Sequence, residues 1–224
     1  MSDHQLPIPT QKLTAIVLMA ANFIPLLGVL FYDWDLQSVM LLYWLENLVV
    51  GLVNIIRILF VVAEKQIAQR LSKALFFCVH YGIFCLGHGA LLFELLNIRI
   101  DGVDKMFSPF DFFTHFPLFF DFLRNSIGTT GTIALFGILV SHLFSLRTHY
   151  FIGGERYRLT ISKAMHLPYQ RIFVMQLGLL IGAFLIEEFG STVLLLIAMI
   201  AAKIMADVFF HRKEHRTLAF EQAS

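Results

Sequence analysis

The chain has 224 residues, of which 58% are hydrophobic, with a mean hydropathy of +0.73 and a formal net charge of +1. Soluble domains hold roughly 45–50% apolar residues, so this excess excludes an ordinary soluble domain. The near-neutral charge and the lack of a dense, aromatic-interleaved basic cluster exclude a nucleic-acid partner.

Six apolar runs are long enough for a hydrocarbon layer about 30 Å thick. They lie at about 13–32, 38–62, 74–97, 128–146, 172–188 and 191–210. None alternates apolar and polar positions as a barrel strand would. The expected fold is therefore all-α: a single polytopic bundle over residues 1–224 whose main partner is the lipid bilayer.

The first run holds Asn22 and Pro25, and the proline predicts a kink. The preceding "MSDHQLPIPTQK" lacks a basic leader, so the run is expected to stay as a membrane helix. The second run is "SVMLLYWLENLVVGLVNIIRI". On a helical wheel its Tyr43, Glu46, Asn47, Asn54 and Arg57 fall within an arc of about 100°. Lipid cannot solvate such a stripe, so it should face the interior or a water-filled cavity.

The third run, "FFCVHYGIFCLGHGALLFELL", carries His80, His88 and Glu94. It also holds both cysteines, Cys78 and Cys85, two helical turns apart and so about 10 Å apart. That is too far for a disulfide, and packing is their expected role. Next comes the aromatic stretch 106–125, "MFSPFDFFTHFPLFFDFLRN", read as an interfacial or partly re-entrant segment on the outer side. The fourth run ends in "SHLFSL" with Ser141 and His142. A basic loop then leads to the fifth run, where Gly178 and Gly182 form a small-xxx-small pair. Such a pair permits close helix contact, within the bundle or in a homo-oligomer. The sixth run carries Lys203 and Asp207 and ends at His211 and His215.

The loops sort by charge. One side of the membrane collects twelve Lys and Arg and the other three, Arg99, Lys105 and Arg124. The positive-inside rule then puts both termini in the cytoplasm of a bacterial inner membrane.

At about 1.5 Å per residue, the ionisable groups of the runs fall into two layers. Glu46 and His88 lie about 12–13 Å from the outer end. His80, His142, Asp207 and His211 lie deeper, at roughly 20 Å or more, beside Asn54 and Arg57. Imidazole with carboxylate suits zinc, iron or copper. His80, His142 and Asp207, with His211 as alternative, are the expected metal ligands, and Glu46 or His88 the catalytic proton shuttle of a membrane metalloenzyme. Two histidines from different helices as haem ligands are a variant. His80 and His88 stand too far apart along their own helix to share one metal.

Two further readings use the same residues. A file of Glu46, His88, His80 and Asp207 suits a proton-coupled transporter or proton-translocating subunit. Alternatively, the polar residues hold a non-enzymatic scaffold together.

The strings "YWLENLVVGLVNIIRI", "HYGIFCLGHG" and "SHLFSL", with a loop ending in "PYQRI", resemble a family of bacterial inner-membrane proteins known only as a domain of unknown function. The resemblance runs from about Leu41 to His211. It implies a six-helix bundle and names no activity. Its motif positions are Tyr43, Glu46, Asn47, Asn54, His80, Gly82, His88, Gly89, Ser141 and His142. A looser similarity links the His211-x3-His215 spacing to the membrane hydrolases that include alkaline ceramidases and adiponectin-type receptors. Those proteins have seven spans, and the other motifs of this chain do not align with theirs.

Overall fold

The structure is a computed structural model. It describes residues 34–62, 64–100, 116–191 and 193–202, together with residues 29, 31 and 205. The expected first span apart from residues 29 and 31, residues 101–115, and Lys203, Asp207, His211 and His215 lie outside the described residues. Everything regular among the described residues is helical. The elements are α1 (Leu36–Phe60), α2 (Ile67–Leu95), α3 (Phe116–Ser145), a π-helical extension (Leu146–Ile152), the short α4 (Glu155–Arg158), α5 (Ile161–Phe189) and α6 (Val193–Ala202). Among the described residues, four helical stretches are long and apolar enough to cross a membrane: Leu36–Phe60, Ile67–Leu95, Pro117–Ile152 and Ile161–Phe189.

The expected spans from 38 to 188 match these helices, the first two overrunning them by two residues at their ends, but three helices begin well before the expected starts. α2 starts seven residues earlier than the run at 74, because "IAQRLSK" has good helix formers despite its charges. α5 starts in the basic stretch read as a loop, and most of the rest of that stretch is the π-helical extension and α4. The second half of the aromatic stretch, 116–125, is the first part of α3. It meets the expected fourth span at Gly128, whose φ of 59° and ψ of −167° break the helix into two segments. Only glycine takes that backbone conformation without a Cβ clash.

By its contacts the chain divides into two units, Asp35–Phe173 and the combination of Met1–Trp34 with Val174–Ser224. In the first unit, α1 packs against both α2 and α3. Asp35 caps α1 by accepting the Ser38 N–H at 2.8 Å. α2 closes with left-handed Asn97, where the N–H groups of Asn97 and Ile98 return to the carbonyls of Glu94 and Phe93. Exposed Glu94 therefore sits at a helix end, 3.5 Å from Arg99.

Two reciprocal contacts join α1 to the antiparallel α2. The Trp44 indole lies over Gly89, where an added Cβ would come within 2.8 Å of the ring, and donates to the Cys85 carbonyl at 2.8 Å. The Tyr81 ring lies over Gly51, and its hydroxyl donates to the Asn47 carbonyl at 3.1 Å. In each case the acceptor sits one helical turn before the glycine. Removing the side chain there lets a ring reach the backbone. Between apolar helices in lipid, such close packing and hydrogen bonding replace the hydrophobic drive.

At one end of this unit, Trp44, Phe93 and Phe119 pack their rings at centroid distances of 5.8–6.4 Å. The other end gathers the end of α1, the starts of α2 and α5, and the close of α3. A helix leaves its last four carbonyls without internal donors, and here side chains fill them. Buried Tyr150 donates to the Arg57 carbonyl at 2.6 Å, and Arg70 Nη1 donates to the Leu59 carbonyl at 3.1 Å. The Val62 N–H reaches the Arg156 carbonyl at 2.9 Å. Arg70, Lys73, Arg147, Arg156, Arg158 and Lys163 all lie on the segments that converge there.

In the second unit, α5 and α6 join through Gly190, at a φ of 65°. Gly178 faces Ala202 and the Ala198 carbonyl, and Gly182 faces Leu195. Both glycines are buried by these contacts. The small-residue face thus makes the close helix contact within the bundle, against α6 of the same chain.

Candidate functional site

The polar stripe of α1 faces inward over part of its length: Tyr43, Asn47 and Asn54 are buried, and Glu46 and Arg57 partly so. The amide of Asn47 donates to the Tyr43 carbonyl one turn earlier at 3.3 Å. Asn54 crosses to α5 and donates to the Ala164 carbonyl at 3.0 Å. The helical donor for that carbonyl would be residue 168, which is proline and has no N–H. Asn54 therefore completes a helix that the sequence leaves incomplete.

Glu46 meets His142 of α3. Its Oε1 lies 3.8 Å from His142 Nε2, with the side chains 13% and 29% exposed. The separation is within ion-pair reach and beyond a direct hydrogen bond. It joins a carboxylate and an imidazole from two apolar helices, on a face beside buried Tyr43 and Asn47.

This pairing departs from the depth count, which put His142 a layer below Glu46 with His80. That count treated α3 as a straight rod. Two hydrogen bonds fix its real register on α1: Ser38 Oγ to the Ser126 carbonyl (2.6 Å) and Tyr150 to the Arg57 carbonyl (2.6 Å). The stretch 126–150 is longer than the stretch 38–57 beside it. Positions counted from the span ends therefore do not line up one for one between α1 and α3. His142 consequently comes within reach of Glu46.

His88 is 2% exposed. The Trp44–Gly89 and Tyr81–Gly51 contacts set the register of α2 on α1 and put His88 nearly level with Glu46, as the depth count expects. His80 lies further along toward the basic end and points elsewhere. Its Nδ1 is 2.7 Å from the Tyr169 hydroxyl of α5, and its ring packs against Phe76, Phe84 and Tyr169.

His80 and His142 thus have different partners, Tyr169 and Glu46. Among the described residues no three His, Cys, Asp or Glu side chains come together as a metal-holding group. The described donors alone therefore do not fit a three-ligand metal site. Asp207 and His211 lie outside the described residues. Both cysteines are unpaired thiols, Cys85 buried and Cys78 exposed.

Several structural roles escaped the sequence reading, although the residues that play them stood in its motif strings. Gly51 and Gly89 each stand within a polar-rich motif and opposite an aromatic residue on the partner helix. Pro168 announces an open carbonyl one turn earlier.

A family model matches residues 5–224. The chain belongs to DUF6498, a family of unknown function. This agrees with the resemblance carried by the motif strings, in which a membrane family without assigned activity was expected. No curated protein and no solved structure matches the chain. DUF6498 membership names no chemistry, so a functional reading rests on the side chains.

Proposed function

We propose that this protein is a multi-pass integral membrane protein of a bacterial inner membrane, and that its Glu46–His142 pair takes up and releases protons within the bundle. The supporting observation is the 3.8 Å approach of a carboxylate to an imidazole between apolar helices. Intramembrane ionisable pairs are costly and mark proton or ion paths. A proton arriving at the pair neutralises Glu46 or charges His142. Either event changes the attraction between α1 and α3, which is how protonation is coupled to movement of a substrate. His88, level with the pair, extends the path. The reading includes six spans with both termini on the cytoplasmic side, supported by the convergence of Arg70, Lys73, Arg156 and Lys163 on one end.

The test is reconstitution into liposomes with an entrapped pH-sensitive dye and an imposed pH gradient. The expected result is a proton flux above empty liposomes that is abolished by Glu46→Gln and reduced by His142→Gln. Equal flux in the parent protein and both variants overturns the reading.

A metal-dependent reading draws on the same pair, since carboxylate and imidazole already approach from two helices. It requires Asp207 or His211 to add a further donor. Elemental analysis and a visible spectrum of detergent-purified protein test it. The absence of both stoichiometric metal and a Soret band removes the metal and the haem versions together.

A further inference from the structure

At the basic end of the first unit, α2 and the start of α5 border an open cleft of about 500 Å³. It is distinct from the Glu46–His142 pair. Lys73, Phe76 and His80 line it from α2, and Met165, His166 and Tyr169 from α5. Among the described residues of its lining Glu64 is the only carboxylate, and it accepts the Gln66 N–H at 2.9 Å.

The lining is graded. The first two turns of each helix contribute Gln69 and Lys73 from α2, and Ser162 and His166 from α5. Further along come Phe76, His80 and Tyr169, with the 2.7 Å contact between imidazole and phenol at the deeper end. Beyond that contact, α2 continues with exposed Ile83 and Phe84. Charge therefore gives way to an amphipathic polar pair and then to an apolar helix face. An amphiphile has that order of groups along its own length. A phosphate suits Lys73 and His166, a glycerol ester suits the polar pair, and an acyl chain suits the exposed face. A soluble phosphate compound would leave the apolar stretch unused.

We propose that this cleft binds the headgroup of an anionic phospholipid. Lys73 and His166 hold the phosphate, and the His80–Tyr169 pair hydrogen-bonds to the ester region. Basic residues near a membrane surface attract anionic lipid by about 1 kcal/mol each. Loss of one such contact therefore corresponds to about fivefold in affinity.

The experiment uses the full chain in a maltoside detergent and fluorescent phosphatidylglycerol, with binding read by anisotropy. Unlabelled phosphatidylglycerol should displace the probe, and phosphatidylcholine should do so at least about fivefold more weakly. Lys73→Gln should weaken binding about fivefold and Lys73→Arg should restore it. Tyr169→Phe should weaken binding measurably, with gel filtration confirming an intact fold. Arg158→Gln, at the same end but outside the cleft, should leave binding unchanged. Phosphatidylcholine binding as tightly as phosphatidylglycerol would overturn the proposal. So would displacement by millimolar inorganic phosphate, which points to a soluble anion, or equal losses in the Lys73 and Arg158 variants, which indicate diffuse attraction. These outcomes are independent of proton flux through Glu46 and His142.

Discussion

The side-chain amide of Asn54 donates to the Ala164 carbonyl at 3.0 Å, filling the position left open by Pro168. One helix thus completes the backbone bonding of another. A buried carbonyl without a donor costs about 1–3 kcal/mol, although hydrogen bonds between membrane helices often contribute less. Asn54→Leu should therefore lower stability by about 1–2 kcal/mol, read as a lower midpoint of thermal unfolding in detergent. In a Pro168→Ala background the restored N–H can bond Ala164 itself. There, Asn54→Leu should cost about 1 kcal/mol less. Equal cost in both backgrounds would show that the asparagine acts through packing alone.

The Trp44–Gly89 and Tyr81–Gly51 contacts make a sharper prediction about size. A Cβ at Gly89 would approach the Trp44 ring within 2.8 Å, so the ring or the helix must shift. Overpacking of this kind costs about 1–3 kcal/mol. Gly89→Val should destabilise at the upper end of that range, and Trp44→Phe should lose about 1 kcal/mol through the indole hydrogen bond. Gly82 and Gly87, with open space where a Cβ would be added, serve as controls. Alanine at either should leave the unfolding midpoint nearly unchanged.

Glu46 and His142 should be energetically coupled. In a double-mutant cycle with Glu46→Gln and His142→Gln, the coupling should be about 0.5–3 kcal/mol. High salt should diminish it only weakly, because both side chains are mostly shielded from solvent. The flux assay and the stability cycle together distinguish a proton path from a purely structural pair. A structural pair shows coupling with no flux.

The α5–α6 face predicts an effect within one chain. Gly182 sits against Leu195, and Gly178 against Ala202. Gly182→Val should lower the unfolding midpoint and leave the oligomeric state in detergent unaltered, as read by light scattering. A change of oligomeric state with unchanged stability would mean that this face contacts a second copy.

The apolar runs determined the helical class and the existence of the long helices, because length and hydropathy are local properties that lipid reads directly. They also put the stripe from Tyr43 to Arg57 on one face of α1, since helical periodicity is fixed by the backbone. The depth of His88 relative to Glu46 followed from counting, because α1 and α2 are each continuous along the compared stretch. The partner of Glu46 did not. Between its tie points to α1, Ser126 and Tyr150, α3 is longer than the stretch 38–57 it lies beside, so equal counts from the span ends do not mark equal heights. His80 turned toward Tyr169 for a related reason: α5 begins eleven residues earlier than hydropathy alone suggests, which brings that phenol alongside α2. Chain-local chemistry decided which residues are costly to bury. Only packing between helices decided which of them meet, because register depends on glycines, prolines and backbone breaks whose effects appear when two helices touch.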